Sequence, residues 1–127
     1  MSGTVELHRQ ILEQAQAYCE AVWYARPEVF ERMCHERFAM NLMDPAGPTY
    51  WDKASFIERV RSRAPGVGPA SYEVLDIDVM GEQIARVHLC VDIPGTRFED
   101  HLGFVNEDGS WKLLTKVFRI KARLGEG

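Results

Sequence analysis

A chain of 127 residues with 46% hydrophobic and 27% charged side chains, free of biased tracts, has the size and make-up of one folded core over residues 1–127 and not of a disordered or fibrous protein. Its formal charge of −4 offers no positive field to a phosphate backbone or an anionic membrane, so nucleic acid and membrane are not expected partners. The three cysteines, Cys19, Cys34 and Cys90, form no CxxC pattern, Met1 to Thr4 carry no basic leader and no apolar run reaches bilayer length; a disulfide framework is not expected, and the default compartment is the reducing cytoplasm.

From Val5 to Ala25, Ile11, Leu12, Ala15, Tyr18, Cys19, Val22 and Trp23 recur at spacings of three and four, which predicts a helix with one buried stripe. Pro27 ends it and suits the first turn of a second, short helix carrying Val29, Phe30 and Met33. Arg37 to Met43 alternates as a strand, with Phe38, Met40 and Leu42 on one side, stopped by the cluster from Asp44 to Pro48. Asp52 is placed to cap a third helix bearing Phe56, Ile57 and Val60, and Pro65, Gly66, Gly68 and Pro69 end it. Arg59, Arg61 and Arg63, near its end, read as a solvated face suited to the helix dipole.

From Ser71 onward the pattern is four antiparallel strands joined at Gly81-Glu82, Pro94-Gly95 and Glu107-Asp108-Gly109, with a tail that loosens after Ile120. The last turn suits a type I turn closed by a left-handed glycine, pairing Asn106 with Ser110. That register places Val74, Val87, Leu89, Val91, Phe98, Asp100, Leu102, Phe104, Leu114, Lys116 and Phe118 on one face. The other face receives Leu75, Ile77, Arg86, His88, His101, Val105, Trp111, Leu113, Thr115 and Val117. Helices cover only one side, and the first face, being the more hydrophobic, becomes the concave core. The second is an apolar patch best covered by a second copy of the chain, so a homodimer is expected.

The order helix, short helix, strand, helix and four curved strands, ending in FEDHLGFVNEDGSWKLLTKVF (Phe98 to Phe118), resembles the NTF2-like superfamily. Within it the closing segment is most similar to the "putative lumazine-binding" branch (SnoaL- and ketosteroid-isomerase-like), through Phe98, Asp100, Gly109, Trp111, Lys116 and Phe118. The resemblance implies an α+β cone with N-terminal helices on the concave face of a strongly curved antiparallel sheet. It also implies a cavity between the two layers and a tendency to dimerise, in a superfamily spanning isomerases, cyclases, dehydratases and non-catalytic adaptors.

Asp100 and Lys116 should stand directly opposite one another on adjacent strands, both turned into the apolar concave face. Asp100 is then a candidate general base with Lys116 as its partner; the plainer alternative is a structural ion pair. Tyr18, Trp23, Phe38 and Met40, with Leu89, Phe98 and Phe118 from the same face, are candidate pocket walls for an unidentified small molecule, or simply core. His88 and His101 are cross-strand neighbours on the opposite face; without a third ligand they are assigned with Leu75, Trp111 and Leu113 to the dimer interface and not to a metal. Cys34-His35 has no companion motif, and no GxGxxG, P-loop, GxSxG or HExxH occurs, so no cofactor is expected. The function expected is a small-molecule-binding pocket protein, with isomerase, cyclase or dehydratase-type acid–base chemistry as its catalytic form. The rival is a non-catalytic dimeric interaction module.

Overall fold

A computed structural model describes residues 3–125. Helix α1 (Thr4–Tyr24) buries Ile11, Ala15, Tyr18, Cys19 and Val22 along one stripe and ends where Ala25 turns left-handed, with φ 54°. Pro27 occupies the first position of α2 (Pro27–Met33), where its missing N–H leaves nothing unsatisfied. Strand β1 (Cys34–Asp44) runs longer than its alternation predicts. The Asp44–Pro48 cluster does not end the sheet: the Asp44 side chain accepts from the Ala46 N–H at 2.8 Å, and the chain turns back as β2 (Gly47–Asp52). This strand was not expected from the sequence, because Pro48 and a length of six residues hide it. Pro48 is tolerated because β2 is an edge. The Asp52 carboxylate caps α3 (Lys53–Arg61), accepting from Ser55 N–H at 2.9 Å.

Strands β3 (Tyr72–Met80), β4 (Ile84–Ile93), β5 (Thr96–Glu107) and β6 (Ser110–Arg123) complete a six-stranded sheet in the order β2-β1-β6-β5-β4-β3. Every pairing is antiparallel except β1 with β6. Helix α1 lies against β3 and β4, α3 lies against β1 and β2, and α2 bridges the two helices. The expected α+β cone, helices on one face of the sheet, is therefore the observed architecture. Strand β6 stays paired to Arg123, opposite Thr96, so the tail does not loosen at Ile120. The last two positions of that tail lie outside the described residues.

The register of the final hairpin differs from expectation at two points. Asp108 and Gly109 both take positive φ, 53° and 82°, the two-residue mirror-image turn of a tight hairpin, so Asn106 faces Trp111 and not Ser110. A bulge then interrupts the ladder between Gly103 and Phe104, whose partners Thr115 and Leu113 leave Leu114 as the extra residue. Between turn and bulge, parity is inverted relative to expectation: Trp111 and Leu113 turn inward and are buried, while Leu114 is half-buried. Beyond the bulge the two one-residue shifts add to two, and parity returns. Asp100 and Lys116 thus share the inner face but are not opposite: Asp100 pairs with Phe118, and Lys116 with Leu102. A second bulge, between Val74 and Asp76, leaves Leu75 exposed and puts Ile77 opposite Val87 on the inner face, where the outer face was expected.

Candidate functional site

Helix α1 and strands β5 and β6 bring three polar side chains together inside the apolar layer. The Tyr18 hydroxyl donates to Asp100 Oδ2 at 2.6 Å, and neither residue has exposed surface. Lys116 Nζ is 3.9 Å from the same Oδ2, close enough to feel the charge but too far for a hydrogen bond. The ammonium instead faces the rings of Phe118 at 4.3 Å, Phe56 at 4.9 Å and Tyr18 at 5.3 Å, an aromatic enclosure that favours a cation. Asp100 Oδ1 is buried and has no hydrogen-bond partner.

Desolvation dominates the electrostatics of this trio. Burial raises the Asp100 carboxyl above its ordinary range, against the opposing pull of Lys116 and the Tyr18 hydrogen bond. Burial likewise depresses Lys116, with Asp100 opposing, and holds Tyr18 well above its usual value, helped by the charge of Asp100. The pair attracts but is not closed on itself: one carboxylate oxygen lacks a donor, and Lys116 Nζ stands too far from the other to bond to it. Such a set can hold a ligand's hydrogen-bond donor at Oδ1, or take a proton there while Lys116 steadies the negative charge left behind.

Of the expected walls, Phe38, Met40 and Leu89 are fully buried, Phe118 nearly so and Phe98 half-buried. Phe98 and Phe118 meet edge-on at 5.6 Å, and Phe30 links Tyr18 to Phe56, which stacks on Phe38 at 5.3 Å. Trp23 is not a wall of the trio's enclosure. Its indole N–H donates to the Gly68 carbonyl at 3.2 Å and its ring lies against Gly66, where a Cβ would fall 2.2 Å from the indole. It is half-buried because the loop after α3 packs on the end of α1 at that point.

Two contributors were missed by sequence reasoning. Trp51, on the unexpected β2, packs 6.3 Å from Phe118, and Arg59 lies 4.7 Å over its ring. Arg63 does not share the solvated face assigned to it; its Nε is buried without a partner, and burial depresses its pKa. Arg61 alone of the three pairs in solvent, with Glu58 at 2.7 Å. Trp51, Arg59 and Arg63 border a cleft of about 780 Å³ between β2 and α3. The signal that could have found Arg63 is its place past the last helical turn, before the prolines and glycines, where the chain folds back onto α1.

On the outer face, His88 and His101 are cross-strand partners whose rings meet edge-on at 4.9 Å. Glu99 accepts from Arg119 Nε at 2.9 Å and lies 2.7 Å from His88 Nε2, contacts that hold its carboxyl below the ordinary range. Among the described residues no group of three His, Cys, Asp or Glu side chains could hold a metal ion. Leu75 is exposed at the β3 bulge. Trp111 and Leu113 are not on this face: the tight turn inverts their parity, so Leu113 is fully buried, and Trp111 donates to Gln10 Oε1 of α1 at 3.0 Å.

The model of the family described as "Putative lumazine-binding" matches residues 6–119. No curated protein matches the chain. Among solved structures, an NTF2-like protein of unknown function from Silicibacter pomeroyi is 23% identical, with a TM-score of 0.85 over 94% of this chain and 99% of that one. A ketosteroid isomerase-like protein from Erwinia carotovora atroseptica is 16% identical, with a TM-score of 0.64 over 85% of this chain and 91% of its own. The association domain of CaMKII from C. elegans is 15% identical, with a TM-score of 0.65 over 87% and 93%. At these identities the structural likeness carries the fold, which similar proteins put to different uses. No described helix is long and apolar enough to cross a membrane.

Proposed function

We propose a function from one premise: this chain belongs to the NTF2-like "putative lumazine-binding" family, a ligand-binding fold. It binds a small molecule at the inner face of its cone, and Asp100 is the group that receives it. The observation that carries this reading is Asp100 Oδ1, a fully buried carboxylate oxygen with no donor, on a side chain whose other oxygen lies 3.9 Å from the Lys116 ammonium. A native fold rarely leaves such an atom orphaned, because a buried polar group without a partner costs roughly 1–3 kcal/mol. A ligand N–H or O–H placed at Oδ1 removes that penalty. In the catalytic form of the reading, Asp100 takes a proton from carbon or oxygen and Lys116 stabilises the resulting anion, as an isomerase, cyclase or dehydratase requires. Tyr18 holds the carboxylate in orientation through Oδ2.

A second reading is favoured by the outer face. Met43, Tyr50, Ile84 and Val117 are large apolar side chains exposed there, with Leu75 at the β3 bulge. We assign this face to a second copy of the chain, and in the non-catalytic alternative that assembly is the biological output.

Native mass spectrometry of the purified protein, followed by thermal-shift screening against Asp100→Asn, separates the two. A retained or stabilising small molecule whose effect disappears in Asp100→Asn is the expected result. Ligands that stabilise both proteins equally would remove Asp100 from the site. A dimer without any ligand response would leave the assembly reading in its place.

A further inference from the structure

The β2–α3 cleft carries more positive charge than the residues around it neutralise. Arg59 and Arg63 border the β2–α3 cleft, and Lys116 lies inward of it over Phe118, whose ring packs on Trp51, so three cations stand on the side of one buried carboxylate in a protein whose net charge is −4. Among the described residues neither Arg59 nor Arg63 pairs with a carboxylate, and the one acid bordering the cleft, Glu58, is already engaged by Arg61. The helix dipole accounts for exposed basic residues in the last turn of α3, and so for Arg59 and Arg61. It does not account for Arg63, which lies beyond the helix with a buried Nε donor that nothing accepts. The repulsion is felt inside, since both arginines help to depress Lys116.

We propose that the ligand of this site is a planar organic acid, its carboxylate received by Arg63 with Arg59 at the mouth and its far end reaching toward Asp100. The inference rests on the pocket reading above and names the ligand class. A guanidinium presents a fork of N–H donors matched to a carboxylate, and an unpaired buried Nε is one tine of such a fork. Planarity follows from the rings: Trp51 on the cleft packs on Phe118, and Phe118 lies against both Phe98 and the Lys116 ammonium, so ring faces and edges stand between the cleft and Asp100. The acid also supplies the negative charge that three cations and one carboxylate lack.

The test compares 2-naphthoate with 2-naphthamide, and benzoate with benzamide, by calorimetry and thermal shift at constant ionic strength. The acids should bind about tenfold more tightly than their amides, the difference expected of one charge-assisted fork. Arg63→Gln should abolish that preference, whereas Arg61→Gln, whose side chain faces solvent with Glu58, should keep it; circular dichroism and urea midpoints check that both variants fold. Equal affinities within each pair, binding by neither member of either pair, or a preference that survives Arg63→Gln would overturn the inference. Failure of the inference and failure of the pocket reading are distinguishable. Amides that bind as well as acids but lose binding in Asp100→Asn would end the anion and keep the pocket. An Arg63-dependent preference for acids that is indifferent to Asp100→Asn would end both the reach to Asp100 and the pocket reading on which it rests.

Discussion

Glu99 and Asp100 are consecutive carboxylates on β5, and the pleat sends them into opposite worlds. Glu99, on the outer face, accepts from Arg119 and bonds to His88, and these partners lower its pKa. Asp100, on the inner face, has one donor, Tyr18, a lysine at 3.9 Å and an oxygen with nothing, and burial raises its pKa. The difference teaches where to look for function in such a sheet. A surface carboxylate that has collected its partners is finished structurally, whereas a buried one left incomplete is the place where we propose that a ligand completes it.

The largest effect should come from splitting the inner pair. Lys116→Met leaves Asp100 buried without its counter-charge and should lower stability by about 3 kcal/mol at neutral pH, shrinking towards acid as Asp100 protonates. The double change Asp100→Asn with Lys116→Met should return to within about 1 kcal/mol of the parent protein, because an uncharged pair needs no compensation. Urea unfolding of the three proteins closes the cycle; a double variant as unstable as the single would show that Lys116 matters through packing and not through charge.

The pH dependence should set the two carboxylates against each other. The Asp100 pKa is raised on folding, so its contribution favours the native state below the ordinary carboxylate pKa of about 4 and is lost as pH rises through the raised folded value. The Glu99 pKa is lowered, so its contribution is present above its ordinary value of about 4.3 and is lost as pH falls through the depressed one. Urea midpoints between about pH 3 and 8 should therefore flatten on the neutral side in Asp100→Asn and on the acid side in Glu99→Gln. Identical profiles for both variants would erase the contrast.

The smallest effect on stability belongs to the outer face, where it is the most informative about assembly. Val117 is 51% exposed, next to Lys116 in sequence and on the other side of the sheet. Val117→Arg should change unfolding free energy by no more than about 0.5 kcal/mol while converting a dimer to a monomer in sedimentation velocity. A variant that sediments as the parent does would remove the second copy from this face.

Much of the cone was legible. The spacing of Ile11, Ala15, Tyr18 and Val22 marked α1, Asp52 marked the start of α3, and the last four strands announced themselves by their turns. Strand β2 was hidden because the prolines and glycine around it are the residues of a loop. The inward direction of Asp100 and Lys116 was legible only because two unseen shifts, a tighter turn and a bulge at Leu114, cancel in parity; between them Trp111 and Leu113 were placed on the wrong face. The candidate mouth was not legible at all. Arg63 looks like any basic residue after a helix until the chain folds back over α1.

Local sequence therefore determined what forms: the helical stripes, the caps, the turns and an alternating polarity whose two faces both had to be covered. Tertiary structure alone decided which donors reach which acceptors, leaving Glu99 complete, Asp100 one bond short and the Arg63 Nε buried without an acceptor. The physical reason is range. Periodicity and capping act over a few residues, while a hydrogen bond across 82 positions, such as that from Tyr18 to Asp100, depends on register, and register changes with every single-residue bulge.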